Sequence, residues 1–153
     1  MNFRSSASYG KRQEYKAIAK LLELDFDVYS TLIDDQAIDC IIRLNGGKRY
    51  LDIQIKARSK NCAMQNRGYF PLLPIVNPRD NYFFIFYSEQ IDSYWILPSL
   101  DIVRMAHEDK TNVSVNKQGG NIGKYAVRTA GNKCNPLPQF EKYRNESGFL
   151  LLK

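Results

Sequence analysis

The chain has 153 residues, 44% of them apolar, and 22 Lys and Arg against 16 Asp and Glu give a net charge of +6. That is the size of one domain with enough apolar content for a single core, which excludes a disordered chain; the charge favours a polyanionic partner without fixing the chemistry. Cys40, Cys62 and Cys134 are odd in number and lack any Cys-x-x-Cys pair, which excludes a disulfide framework and a zinc ribbon, and no run approaches membrane-spanning length. With no apolar leader over Met1 to Lys16, a soluble cytoplasmic protein with no membrane partner is expected.

In chain order, Ser8 is placed to cap a helix running to about Leu24, with Tyr15, Ile18, Ala19 and Leu22 at helical spacing and Glu14 in its first turns. Phe26 to Thr31, Ala37 to Leu44 and Arg49 to Ser59 read as three strands, separated by Asp34-Asp35 and Asn45-Gly46-Gly47 turn signals. Residues 60–80 carry Pro71, Pro74 and Pro78 and read as an irregular loop. Tyr82 to Tyr87 and Ser93 to Leu97 follow as a pair of core strands, and Pro98 ends the second. Ser99 and Asp101 then open a short helix through Met105. Thr111 to Cys134 is a glycine-turned hairpin, with Val113 to Val115 and Tyr125 to Val127 as its strands. Phe140 to Leu152 reads as a closing helix that breaks at Gly148.

The chemistry concentrates in the second and third strands. Leu51, Ile53, Ile55 and Ala57 alternate with Asp52, Gln54, Lys56 and Arg58, so one row is buried and Gln54 and Lys56 share the other face. If the Gly46-Gly47 turn folds these runs into a hairpin, Asp39 reaches that polar face from the neighbouring strand. Asp39 lies in an apolar run, where an ionised carboxylate costs several kcal/mol unless it is paired, hydrogen-bonded or bound to a metal. The plain alternatives are an ion pair of Asp39 with Lys56 or Arg43, a solvated Gln54, a surface Lys56, and a Glu14 kept for the helix dipole.

Glu14, Asp39 and Gln54-Ile55-Lys56, in the order helix, strand, hairpin, strand, resemble the PD-(D/E)XK nuclease superfamily. Gln54 departs from the commonest signature, which has a second acidic residue there; the Gln-x-Lys form resembles a homing-endonuclease branch associated with group I introns. The resemblance covers roughly residues 8–105 and implies an α/β, restriction-endonuclease-like core with a mixed central β-sheet flanked by helices. It implies a Mg²⁺-dependent DNA endonuclease of homing, restriction or junction-resolving type, with Mn²⁺ able to substitute, leaving a 5′-phosphate. Catalysis would fall to Glu14, Asp39, Gln54 and Lys56, and the metal to Asp39, Glu14, Gln54 and the Ile55 carbonyl. Mg²⁺ takes hard oxygen ligands at about 2.0–2.1 Å and keeps several waters, which such a set satisfies. Lys56 would set positive charge beside the attacking water and the developing phosphorane charge.

Charge distribution agrees with a polyanion. Seven acidic residues lie between Glu14 and Asp39 against Lys16 and Lys20, whereas Arg43 to Arg67 and Lys110 to Arg144 carry seven basic residues each against one acidic residue. Arg43, Arg49 and Arg58, and Lys117, Lys124 and Arg128 in the Thr111 to Cys134 hairpin, are the candidate DNA contacts; the hairpin reads equally as a polar connection. His107 is the single histidine, which removes two-histidine mechanisms, and Gly119-Gly120-Asn121-Ile122-Gly123-Lys124 lacks phosphate-loop spacing. One domain is expected over 1–153, its core at about 8–105 and the basic hairpin and closing helix at about 110–153. Because one such site cuts one strand, a homodimer or homotetramer is expected. A DNA-binding protein of the same fold without cleavage, and a basic RNA-binding protein using its aromatic residues, remain open.

Overall fold

The computed structural model describes residues 3–33 and 36–153; the Asp34-Asp35 turn signal therefore lies outside the described residues. A helix, α1, spans Phe3–Glu23, starting well before Ser8, so Ser8 is not its cap and Glu14 lies mid-helix. The buried stripe of α1 is Gln13, Ala17, Ile18 and Leu21, while Tyr15 and Leu22 are exposed. Of the apolar residues expected to face the core, only Ile18 does. The two stripes differ by a small rotation about the helix axis, and small Ala17 lets the helix lie close to the sheet.

The strands follow as β1 (Asp27–Ser30), β2 (Cys40–Leu44), β3 (Arg49–Arg58), β4 (Tyr69–Leu73), β5 (Tyr82–Ser88) and β6 (Ser93–Pro98). After β6 come α2 (Ser99–Glu108), β7 (Val113–Val115), β8 (Tyr125–Arg128) and α3 (Asn145–Phe149), the last flanked by 3-10 turns at Pro138–Tyr143 and Leu150–Leu152. One sheet has the order β1-β2-β3-β5-β6 and is antiparallel except for the β3–β5 pair, so it is mixed, as the fold class requires. A second, antiparallel sheet has the order β4-β8-β7.

β4 corrects the loop expected over residues 60–80. Pro71 is tolerated because β4 is an edge strand, and the ladder shifts register between Phe70 and Leu73, with Leu72 at a positive φ of 60°. The closing helix also differs: it breaks at Arg144–Asn145, where Asn145 has a φ of 48°. Gly148 sits inside α3, where a Cβ would collide with the Tyr143 carbonyl.

The alternation of β3 sorts the core into two halves. Leu51, Ile53 and Ile55 pack with Ala17, Leu21, Ile42, Ile85, Ile96 and Phe149 on the face covered by α1 and α3. The opposite face carries Phe84, Phe86, Trp95 and Leu97, covered by α2 and by Phe70, Leu73, Val113 and Val127 of the second sheet. In parallel register Gln54 sits beside Phe84 and Lys56 beside Phe86, so both belong to this second face. Among the described residues no helix is long and apolar enough to cross a membrane.

Candidate active site

The β2–β3 hairpin forms as the Gly46-Gly47 signal predicts, through a tight turn with Gly46 and Gly47 both at positive φ. Cys40 opposes Ile53, so Asp39, one residue before β2, falls opposite Gln54 on the face that also carries Lys56. Main-chain contacts hold it there: its N–H donates to the Ile53 carbonyl at 2.8 Å, and the Thr31 hydroxyl donates to the carbonyls of Ile38 and Asp39 at 3.0 and 3.2 Å. The Tyr82 hydroxyl donates to the Ala37 carbonyl at 2.9 Å.

Asp39 is 5% exposed and Gln54 4%. One carboxylate oxygen, Oδ2, accepts Gln54 Nε2 at 2.8 Å and the Ile55 N–H at 2.6 Å. Two donors on one oxygen stabilise the ionised form and offset much of its burial cost. Neither ion pair weighed from sequence forms. Arg43 pairs instead with Asp27 at 2.7 Å, and Lys56, half-buried, makes no hydrogen bond or ion pair among the described residues.

Gln54 gives its amide nitrogen to Asp39, and its oxygen, Oε1, is buried without a donor. A buried acceptor left unmade costs about 1–3 kcal/mol, which a cation or a water would recover. The Ile55 N–H points to the β2 side of β3, and the Ile55 carbonyl shares that side by strand geometry, beyond the point where β2 pairing ends. Asp39, Gln54 Oε1 and the Ile55 carbonyl present only oxygen at this end of the hairpin, the ligand type Mg²⁺ takes, and Gln54 Oε1 lacks any other partner. Among the described residues no three of His, Cys, Asp and Glu converge as a metal cluster.

Glu14 stands on α1 with its side chain 16% exposed, and Lys11 one turn earlier holds it at 2.9 Å. The bond to Glu14 raises the Lys11 ammonium above its ordinary range, and Asp39 adds to the effect. Burial, then Asp39, then Glu14 push the Cys40 thiol up to about 12. Both carboxylates thus act on one neighbourhood. Lys11 is the site residue that sequence reasoning missed; its signal was the i, i+3 spacing to Glu14.

The candidate DNA contacts divide. Arg58 donates Nε to the Tyr69 carbonyl at 2.6 Å, and Arg128 lies over the Tyr69 ring at 4.6 Å while donating to the Gln65 carbonyl at 2.8 Å. Tyr69 therefore joins two of the six cations, and Arg58 is two residues from Lys56 on the same face. Arg43 and Arg49 lie at the other end of the β2–β3 hairpin, with Arg49 exposed. Lys117 and Lys124 are on the β7–β8 connection, where Lys124 donates to Asn121 Oδ1 at 3.2 Å. The hairpin is not a free arm: β8 also pairs with β4, and Val113 and Val127 are fully buried.

No protein family's sequence pattern matches the chain, and neither does any curated protein. Solved structures do. The bacterial homing endonuclease I-Ssp6803I superposes with a TM-score of 0.57 over 94% of this chain and 90% of that one, at 16% identity. D212, a nuclease from a fusselovirus, superposes with a TM-score of 0.52 over 84% of this chain and 86% of its own, at 20% identity. The chain has the fold of these nucleases, and the mixed α/β architecture expected from sequence is the one observed.

Proposed function

We propose that the chain is a Mg²⁺-dependent DNA endonuclease of the PD-(D/E)XK type in its Gln-x-Lys form, hydrolysing phosphodiester bonds. One observation carries the reading: a buried Asp39–Gln54 pair whose amide oxygen has no donor, on the same strand face as an unpaired lysine. The names of the two structural relatives, a homing endonuclease and a viral nuclease, support DNA as the substrate.

Asp39, Gln54 Oε1, the Ile55 carbonyl and Glu14 would hold Mg²⁺, or Mn²⁺ in its place. When bound, the ion supplies a Lewis acid for the phosphate oxygens and a more acidic water. The hydrogen bonds from Ile55 and Gln54 hold Asp39 ionised and oriented before any substrate arrives. Lys56, on a strand buried along its other face, places its ammonium beside the attacking water and neutralises charge that grows on the phosphate during in-line attack. Lys11 balances the Glu14 charge and would give way to a bound cation. Cutting both strands would take two protomers, in a homodimer or homotetramer.

A second reading has one observation in its favour: no three carboxylates converge among the described residues, which suits a DNA-binding protein that does not cut. Incubation with supercoiled plasmid and Mg²⁺ separates the two. Nicking or linearisation that disappears in Asp39→Ala supports the nuclease; plasmid bound but intact with Mg²⁺ and with Mn²⁺ refutes it.

A further inference from the structure

Gly10 lies in the middle of α1 with no structural reason to be glycine. Its φ is ordinary for a helix, and a Cβ added there would meet nothing within 4 Å. Glycine is the poorest helix former after proline, so a mid-helix glycine calls for close packing or for another molecule approaching the backbone. Open space removes the first explanation.

That space is a cleft of about 780 Å³. One wall is the first half of α1, including Tyr9 and Gly10; the other is the end of β3 and the loop after it, including Arg58, Ser59 and Asn61. No described lining residue is acidic. Nearby Glu89 has its carboxylate taken by the Lys60 N–H at 3.1 Å. Arg58 commits Nε to Tyr69, and its two Nη groups make no hydrogen bond among the described residues. The Tyr9 hydroxyl is buried without a partner, and burial, then Glu89, push its phenol up, so it remains a neutral donor. The cleft therefore offers donors without acceptors of matching charge, beside a backbone stripped of its side chain. Its place is equally specific. Gly10 is one helical turn before Glu14, and Arg58 is two residues past Lys56, so the cleft extends the candidate active site along β3.

We propose that this cleft is a subsite for the nucleotide adjoining the scissile phosphate, its sugar–phosphate backbone passing over Gly10 and its phosphate taken by Arg58 and Asn61. The location of the scissile phosphate rests on the nuclease reading. The test measures binding of a fluorescent DNA duplex in EDTA, so that it needs no cleavage. Gly10→Leu fills the cleft while improving helix propensity, so its melting temperature is expected at or above that of the natural protein. Its affinity is expected to fall about tenfold, the loss of one charge-assisted hydrogen bond. Neutral methylphosphonates placed one at a time along the duplex should weaken binding to the natural protein at one phosphate beside the cut, and that loss should vanish in Arg58→Ala. A folded Gly10→Leu with unchanged affinity, or a methylphosphonate profile identical in Arg58→Ala and the natural protein, overturns the subsite and leaves the nuclease reading intact. A natural protein that binds no duplex refutes both.

Discussion

Replacing Gln54 by glutamate probes the centre of the site, because it turns the donor that Asp39 accepts at 2.8 Å into a second carboxylate. At that separation two full charges repel by about 6 kcal/mol at an effective dielectric of about 20. Protonation caps the penalty: keeping a glutamic acid neutral at pH 8, from an unperturbed value of about 4.3, costs about 5 kcal/mol. The floor is the lost hydrogen bond to a charged acceptor, about 1.5–3 kcal/mol. Gln54→Glu should therefore lose about 2–5 kcal/mol of stability at pH 8 in EDTA. The pH dependence follows from the raised carboxyl. Below the unfolded value both states hold the proton, and the acid donates its O–H to Asp39 in place of the amide. As pH rises from the unfolded value towards the raised folded value, the unfolded chain ionises while the native state keeps its proton beside Asp39, and stability falls until the folded value is passed. Magnesium at about a hundredfold its dissociation constant would return about 2.7 kcal/mol. Urea denaturation from pH 5 to 8, in EDTA and in Mg²⁺, measures all of this. A variant as stable as the natural protein at pH 8 in EDTA would show that residues 39 and 54 do not share a buried space, and one indifferent to Mg²⁺ would remove position 54 from the metal site.

Three further outcomes follow from the same geometry. Lys56→Ala should abolish plasmid nicking while leaving duplex affinity within about twofold, since its charge serves the transition state; nicking at the natural rate would exclude it from catalysis. Neutralising Lys117, Lys124 and Arg128 together should lower the slope of log K against log salt by roughly 2 to 3, at about 0.9 per phosphate contact; an unchanged slope would move the DNA to Arg43, Arg49 and Arg58. Because the Cys40 thiol is raised from 9.0 to about 12, the unfolded chain releases its proton first, and stability should fall as pH rises through that window. The slope is about 1.4 kcal/mol per pH unit for one such group, and Cys40→Ala should flatten the alkaline arm by that amount; an equal arm in the variant would show that Cys40 does not titrate in this way.

The β2–β3 hairpin was legible because two signals coincide, a Gly46-Gly47 turn and a strict alternation over Leu51 to Arg58. Asp39 and Gln54 meet because that register leaves no other choice. β4 was hidden by its prolines: Pro71 argues against a strand unless its edge position is known, and that depends on β8, more than fifty residues away. The same distance hides the third partner of the β7–β8 hairpin, which reads as two strands alone until β4 is placed beside it. On α1 the dense apolar residues from Tyr15 to Leu22 support two neighbouring stripes, and only contact with Ile53 and its neighbours on the sheet selects the one through Ala17 and Leu21. The unpartnered Gln54 oxygen has no sequence signature, since it is defined by what fails to surround it.

The amide at position 54 gives the site a property that a carboxylate would not. With glutamate there, two buried acids would repel until a cation arrived, and the apo site would be either protonated or displaced. With glutamine, the amide nitrogen donates to Asp39 while the amide oxygen is left free to accept, so on the nuclease reading order is in place before any metal or DNA would bind. The exchange is weaker attraction for the ion against a smaller reorganisation on binding, because a neutral oxygen contributes dipole and not charge. Lys11 fits the same logic on the other carboxylate: it neutralises Glu14 by a partly exposed ion pair of the kind worth about 0–1 kcal/mol, easily surrendered to an incoming cation. On the nuclease reading the two devices leave a scaffold in which Asp39 is fixed, Glu14 is releasable and Lys56 is uncommitted. A metal would then complete the arrangement without having to build it.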